Sequence, residues 1–349
     1  MKHKRLFAGL ILGACLLLAA ALVVFFSMTK AEREAEREAE LVIYAYDSFV
    51  AEWGPAPQVI PKFEEKHGVK VSVISVGDAG QVLNRAIIEK DDPQADIVVG
   101  IDNNMLARAL EEDVLQPYRS PNLDRIPERL VFDSSHSVTP FDYGYFAFVY
   151  DSQVLDDPPA SLEELADPRF RQKVIVEDPR TSSPGLGFLL WTVAVYGEGY
   201  LDYWRRLQPN LLTITDGWDT AYGMFTSGEA PLVLSYTTSP AYHVEYEQTE
   251  RYRALLFAEG NYLQIEGMGI VKGAPHPGLA RKFIDFILSE DFQEDIPLTN
   301  WMYPVNPGVQ LPESFRFAPQ PETSLQLQAE EIRRSQERWI TDWVRLVSR

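Results

Sequence analysis

Leu41-Val-Ile-Tyr-Ala-Tyr46, Val69-Lys-Val-Ser-Val-Ile-Ser-Val76 and Ala95-Asp-Ile-Val-Val-Gly100 are three runs of β-branched and aromatic residues, and the segments between them decide the fold. Such runs read as strands. Asp47 and Ser48 follow the first as helix-entry residues, and Ile60 to His67 reads as a short amphipathic helix stopped by Gly68. Gln81 to Lys90 reads as a helix between the second and third runs, and another begins near Asn104. Strand, helix, strand, helix at this spacing predicts a parallel α/β sheet. Ligands of such sheets sit beyond the carboxyl ends of the strands, and Tyr46-Asp47-Ser48, Asp78 and Asp102 occupy those ends.

The pattern then changes. Val138 to Asp151 is rich in aromatics and poor in charge, as expected of a segment that crosses to a second lobe. Beyond it, Ser161 to Leu165 starts a helix, Val174 to Glu177 is a strand, and Arg180-Thr-Ser-Ser-Pro-Gly-Leu-Gly187 opens another helix. Leu211 to Thr215 and Pro231 to Ser235 read as further strands. Ala254 to Ala258 and Tyr262 to Ile265 bring the chain back, with Met268 to Val271 after them. Gly278 to Ser289 is an amphipathic helix, and Glu330 to Val347 a charged one anchored by Ile332, Trp339 and Trp343. The expected division is residues 41–140 plus 266–349 in lobe 1 and 141–265 in lobe 2.

The start of the chain reads as an export address. Lys2, His3, Lys4 and Arg5 precede an uncharged stretch over residues 6–28, long enough as a helix, at about 1.5 Å per residue, to cross a hydrocarbon core of about 30 Å. The basic flank places the rest of the chain outside the cytoplasm. Three readings stand: an uncleaved anchor over residues 6–28, a lipoprotein lipidated at Cys15 within Leu12-Gly-Ala-Cys15, or a cleaved signal peptide. Residues 31–40 repeat Ala-Glu-Arg-Glu and read as a solvated charged linker.

Net charge is −19, which speaks against nucleic acid as a partner. Cys15 is the sole cysteine, so the exported body has neither disulfides nor thiol chemistry. Its histidines, His67, His136, His243 and His276, stand in dissimilar settings, and no nucleophile elbow or zinc-binding pattern is present. An enzyme finds little support, and no cofactor or metal is expected. Binding finds more. In Ser235-Tyr-Thr-Thr-Ser-Pro-Ala-Tyr242 an apolar strand ends in Tyr236, Thr237, Thr238, Ser239, Pro240 and Tyr242. Hydroxyls beside aromatic faces suit a flat polar molecule, a cationic one included. Trp218 after Asp216-Gly217, and Trp301 in Asn300-Trp-Met-Tyr-Pro304, are flanked by turn residues rather than apolar runs, so they are candidates to clamp a ring. Asp78 offers a carboxylate to an amino group or a cap to a helix. Ser182 and Ser183, ahead of Pro184, form either a cap or a hydroxyl or anion site.

Tyr46-Asp-Ser-Phe49, Trp53-Gly-Pro55, Asp102-Asn-Asn104, Pro140 to Asp151, Asp178-Pro-Arg-Thr-Ser182, Pro184-Gly-Leu-Gly187, Leu234 to Tyr242 and Asn300 to Pro304 together resemble the thiamine-binding components of bacterial ABC importers. The resemblance runs from about Leu41 to Arg349. It implies a two-lobed type II periplasmic binding protein fold with a hinge, here preceded by the N-terminal hydrophobic helix. It also implies a monomer on the extracytoplasmic face of the inner membrane. That protein would capture thiamine or its phosphate esters and deliver them to a membrane permease, with ATP hydrolysed by another subunit. Carried over residue by residue, Asp78 and Ala79 match the stretch facing the aminopyrimidine end, and Ser182 with Ser183 a polar contact from the second lobe. Trp218 and Tyr236 to Pro240 match the ring-facing wall, with Tyr242, Tyr46 and Trp301 as further candidates. Relatives carry Gly directly after the aspartate, where this chain has Ala79 and then Gly80. Two rivals are a ferric-ion binder of the same fold and an exported enzyme acting on a thiamine-like heterocycle. The first commonly uses adjacent tyrosines, and no Tyr-Tyr pair occurs; the second would favour a reactive cysteine.

Overall fold

Residues 40–348 are described by a computed structural model. The hydrophobic leader, Cys15 and all but the last residue of the charged linker lie outside them. Among the described residues no helix is long and apolar enough to cross a membrane.

Strands β1 (Glu40–Ala45), β2 (Lys70–Ser75) and β3 (Ile97–Asp102) pair in parallel as their crossovers require. Helix α1 (Ala56–His67) makes the first crossover and ends at Gly68, whose φ of 65° suits a residue without a side chain. Helix α2 (Ala79–Ile88) makes the second, and α3 (Leu106–Glu111) follows β3. The chain then runs through β4 (Val138–Asp151), β5 (Val174–Glu177), β6 (Leu211–Thr215), β7 (Leu232–Tyr236) and β8 (Asn261–Val271). The strand order is β2-β1-β3-β8-β4-β7-β5-β6, with short strands added at its margins.

Two long antiparallel strands join the halves of this sheet. Val138 to Tyr145 of β4 pair with β8, whereas Phe146 to Tyr150 pair with β7 in the second half. Strand β8 meets β3 over Glu266 to Ile270. The sequence reads β8 as two pieces, because Gly267 and Gly269 interrupt its apolar pattern. They pack where side chains have no room: a Cβ on Gly267 would lie 2.3 Å from Val138 Cγ1 and 2.9 Å from the Thr139 carbonyl. Ala254 to Ala258, expected as a strand, is one only to Ala254; Leu255 and Phe257 are buried in irregular chain instead.

Helix α4 (Ser183–Tyr196) has no polar face and runs through the second half of the core. Helix α5 (Tyr200–Leu207) packs against it, whereas α6 (Trp218–Thr226) lies on β5, β6 and β7 and α7 (Ser239–Tyr246) beside the short strand Tyr252–Ala254; the sequence reading did not include these three. Helix α8 (Pro277–Ile287) covers the first half, as expected. Helix α9 (Ala329–Val347) buries Ile332, Trp339 and Trp343. Trp343 meets Trp204 of α5 edge-on at 5.5 Å, while Arg333 reaches Glu111 of α3, so α9 straddles both halves.

Candidate functional site

Four helices begin at one place. The N-termini of α2, α4, α6 and α7 converge between the halves of the sheet, each just past the carboxyl end of a strand. A cavity of about 350 Å³ lies among them, near the small end of ordinary ligand sites.

Asp78 joins the two walls. As N-cap of α2 it forms a capping box with Gln81, its Oδ1 accepting from the Ala79 N–H at 2.6 Å. Its Oδ2 accepts from the Trp218 N–H at 2.9 Å, so one carboxylate also caps α6 across the cleft. Burial raises its pKa, while the Trp218 and Ala79 amides and the nearby Ser182 and Ser183 oppose that shift. The walls also touch beside it, where Gly80 lies flat against the Thr181 backbone. The glycine that matters for close approach is therefore Gly80, while the Ala79 methyl is buried near Gly100.

The aromatic wall is held by hydrogen bonds behind it. Trp218 Nε1 donates to Ser235 Oγ at 2.8 Å, and its ring stacks on Tyr222 with centroids 4.8 Å apart. The Tyr222 hydroxyl lies 2.8 Å from His243 Nε2, and His243 Nδ1 lies 2.7 Å from Glu247 Oε2. With Glu247 accepting at Nδ1, the neutral imidazole accepts from tyrosine at Nε2. Burial lowers the His243 pKa, which favours that neutral form. Tyr242 packs edge-on against Trp301 at 5.3 Å, and Trp53 closes the mouth at 6.4 Å from both Trp218 and Tyr242. Trp301 adopts φ 56°, a left-handed conformation costing a non-glycine residue about 1–3 kcal/mol, just after the short helix Ile296–Thr299.

Carboxylates form the floor and rim. Glu266 of β8 lines the cavity, and in register beside it lie Asp102 of β3 and Asp142 of β4. Burial raises all three pKa values, to about 6 for Asp102 and about 8 for Asp142, and well above the usual range for Glu266. Asp219 at the rim is pushed up to about 6 by burial, with Asp47 and Asp78 adding to it. The lining includes six carboxylates and neither lysine nor arginine.

Of the residues singled out in the sequence, Tyr46, Asp78, Ala79, Ser183, Trp218, Tyr236, Thr238, Ser239, Tyr242 and Trp301 line this cavity. Ser182, Thr237 and Pro240 stand behind it, fully or nearly buried. Ser182 is the residue before the first turn of α4. Thr237 is tied to β4 through its N–H on the Tyr145 carbonyl, and Pro240 belongs to the first turn of α7. The strand end read in Ser235 to Tyr242 is thus a strand-to-helix junction, with Pro240 in the first turn where its missing N–H costs nothing. Trp53, Tyr222, Glu266, Asn300 and Met302 line the cavity without having been singled out as contacts. Glu266 carried no local signal; only its register beside Asp102 and Asp142 marks it. Among the described residues no group of three or more His, Cys, Asp or Glu is placed to hold a metal ion.

The sequence profile of the bacterial extracellular solute-binding proteins matches residues 92–333. The chain is 43% identical over 318 residues to a thiamine-binding periplasmic protein of Brucella abortus, covering 90% of this chain and 94% of that one. To its counterpart in Salmonella typhimurium it is 43% identical over 310 residues, 88% of this chain and 94% of the other. A solved periplasmic thiamin binding protein superposes with a TM-score of 0.85 at 42% identity, over 89% of this chain and 97% of that one. A ferric ion-binding protein A of Pasteurella haemolytica shares the fold alone, with a TM-score of 0.73 at 20% identity. Two lobes joined by β4 and β8, a cleft of converging helix ends and these likenesses lead to one assignment: the chain belongs to the bacterial extracellular solute-binding proteins, in the group formed with the thiamine-binding periplasmic proteins.

Proposed function

We propose that the chain captures thiamine in this cleft, outside the cytoplasm, and hands it to the permease of an ABC importer. One observation carries the reading: the cavity joins tryptophan and tyrosine faces to six carboxylates, with neither lysine nor arginine in its lining to compete. Thiamine has two flat rings, one with a fixed positive charge and the other with an amino group. A cation over such faces is stabilised by about 2 kcal/mol when desolvated. Asp78, Ala79 and Ser183 are the contacts proposed for the aminopyrimidine end. Trp218, Tyr236, Thr238, Ser239, Tyr242, Tyr46 and Trp301 are proposed for the rings, with Ser182, Thr237 and Pro240 supporting them from behind. The chemistry is binding and release, and none of it requires a reacting group.

The lobes are proposed as residues 41–140 plus 266–349 and 141–265, hinged where β4 and β8 cross, and the protein as a monomer. Phosphate esters of thiamine fit the same scheme through the amide-rich starts of α4 and α7. Tethering through residues 6–28 or a lipidated Cys15 is proposed too, and mass spectrometry of the mature N-terminus distinguishes them from a cleaved leader. Titration with thiamine, read by tryptophan fluorescence and by calorimetry, tests the ligand. A saturable signal in both is expected; no heat and no fluorescence change would rule thiamine out.

A further inference from the structure

Glu266 lies in the middle of an unusual row. Across β3, β8 and β4 the register sets Asp102, Glu266 and Asp142 directly side by side, and all three are buried. Like charges directly opposite one another in a sheet repel. Glu266 is only 6% exposed, lines the cavity, and its Oε1 has no hydrogen-bond partner; Asp142 Oδ1 has none either. The groups acting on Glu266 from the surrounding elements are Asp142 on β4, Asp102 on β3, Asp78 at the start of α2, Tyr46 after β1 and Tyr236 on β7. No cation is among them.

The hydrogen bonds leave one oxygen of each member of the pair without a donor. Tyr46 donates its single hydroxyl proton to Asn300 Oδ1 at 3.2 Å, and Asn300 Nδ2 donates onward to Asp142 Oδ2. With that proton engaged on Asn300, Glu266 Oε1 is left without a donor, so an ionised carboxylate there would be buried unpaired and a proton on the pair removes that cost. The raised pKa values of the pair agree.

We propose that Glu266 is the residue that answers the ligand's positive charge: the ligand-free protein holds one proton on the Glu266–Asp142 pair, and a bound organic cation replaces it. Entry of the cation restores the ionised pair, and the released proton leaves to solvent. No covalent bond to the ligand forms or breaks. Because the described carboxylates do not group as a metal site, the expected occupant is an organic cation. The inference rests on the thiamine reading for its choice of probe, and part of its test does not.

Calorimetry of thiamine binding at pH 7 in MOPS and in Tris, whose ionisation enthalpies differ, counts protons released. About one per thiamine is expected, and the wild-type Kd should weaken up to tenfold per unit as pH falls from 7 to 5.5. Glu266→Gln should abolish the release and flatten that pH profile, with Asp142→Asn as the second variant if the first does not fold. Binding without proton release, or release undiminished in both variants, overturns the proposal and leaves the thiamine reading standing. Infrared difference spectra of ligand-free protein at pH 7, wild type against Glu266→Gln, need no ligand. A protonated carboxyl band present only in wild type is expected, and its absence overturns the proposal whatever the ligand is.

Discussion

Replacing Gly80 by alanine should separate binding from stability. A Cβ built on Gly80 would lie 2.5 Å from the Thr181 oxygen, 2.6 Å from its carbonyl carbon and 3.1 Å from its Cα. Carbon atoms pack comfortably at about 3.5–4.0 Å, so the walls must part by about 1 Å there. Thr181 cannot easily yield. Its N–H binds the Asp178 carbonyl, its hydroxyl donates to the Asp216 carbonyl at 2.7 Å, and the neighbouring Ser182 N–H is also tied to Asp178. Overpacking of this kind costs about 1–3 kcal/mol, borne only by the closed form. At about 1.4 kcal/mol per tenfold, the Kd for thiamine should rise roughly 5- to 150-fold. The open form meets no clash and gains from alanine's better helix propensity in α2, up to about 1 kcal/mol. The ligand-free melting temperature should therefore hold or rise while affinity falls. Gly199→Ala is the control, since a Cβ there meets nothing within 4 Å. Calorimetry and thermal melts of both variants decide the matter: wild-type affinity in Gly80→Ala would refute cleft closure through this contact.

Trp218→Ala removes a ring and its bond to Ser235 but leaves the backbone N–H on Asp78; a loss of about 2 kcal/mol, roughly 30-fold in Kd, is expected by fluorescence titration. Unchanged affinity would take that ring out of the site. Asp78→Asn has one acceptor oxygen for two amide donors, so one helix end loses a charge-assisted bond worth about 1.5–3 kcal/mol; at least tenfold weaker binding is expected from calorimetry. The ligand-free protein should lose stability as pH rises from 6.5 to 8.5. Carboxyls with raised folded pKa values, Asp142 near 8 and Glu266 and Glu177 well above the usual range, bind more protons folded than unfolded there, so ionising them costs stability. The lowered histidines, His67 and His243, act below that window, and a melting temperature that stays flat or rises across it would contradict the burial argument.

The first half of the fold was legible because its three strands obey one simple rule: apolar runs separated by capped amphipathic helices. Asp78 was legible for the same reason, as a cap at a strand's carboxyl end. Helix α5 did carry a stripe, Tyr200, Tyr203, Trp204 and Leu207, but one only two turns long and mostly aromatic, and it went unread; α6 and α7 were hidden by their content. Aromatics and hydroxyls at positions such as Trp218, Tyr222 and Tyr242 line the cleft rather than forming a periodic apolar stripe, so the usual helical signal is weak there. In β8 the glycines that let neighbouring strands approach broke the pattern of a single strand. Glu266 was invisible for a deeper reason. Its significance depends on register with residues far away in the chain, Asp102 and Asp142, and nothing local encodes that.

These features combine into an account of why closure waits for a ligand. Part of the closed contact is satisfied by the protein itself: Asp78 caps both α2 and α6, so meeting of the walls leaves that carboxylate paired. The floor is different. Glu266 and Asp142 each keep an oxygen without a partner, and burying ionised carboxylates unpaired is costly. Without a ligand the proposed answer is a proton on the pair. In the proposed binding mode a cationic ligand takes the place of that proton, with its rings set against the faces of Trp218 and Tyr236 that line the cavity. Helix α9 touches both halves, with Trp339 and Trp343 buried, Trp343 edge-on to Trp204 of α5, and Arg333 beside Glu111 on the other side. If Glu266 answers the ligand's charge as proposed, recognition falls on the same two strands, β4 and β8, that join the halves of the sheet.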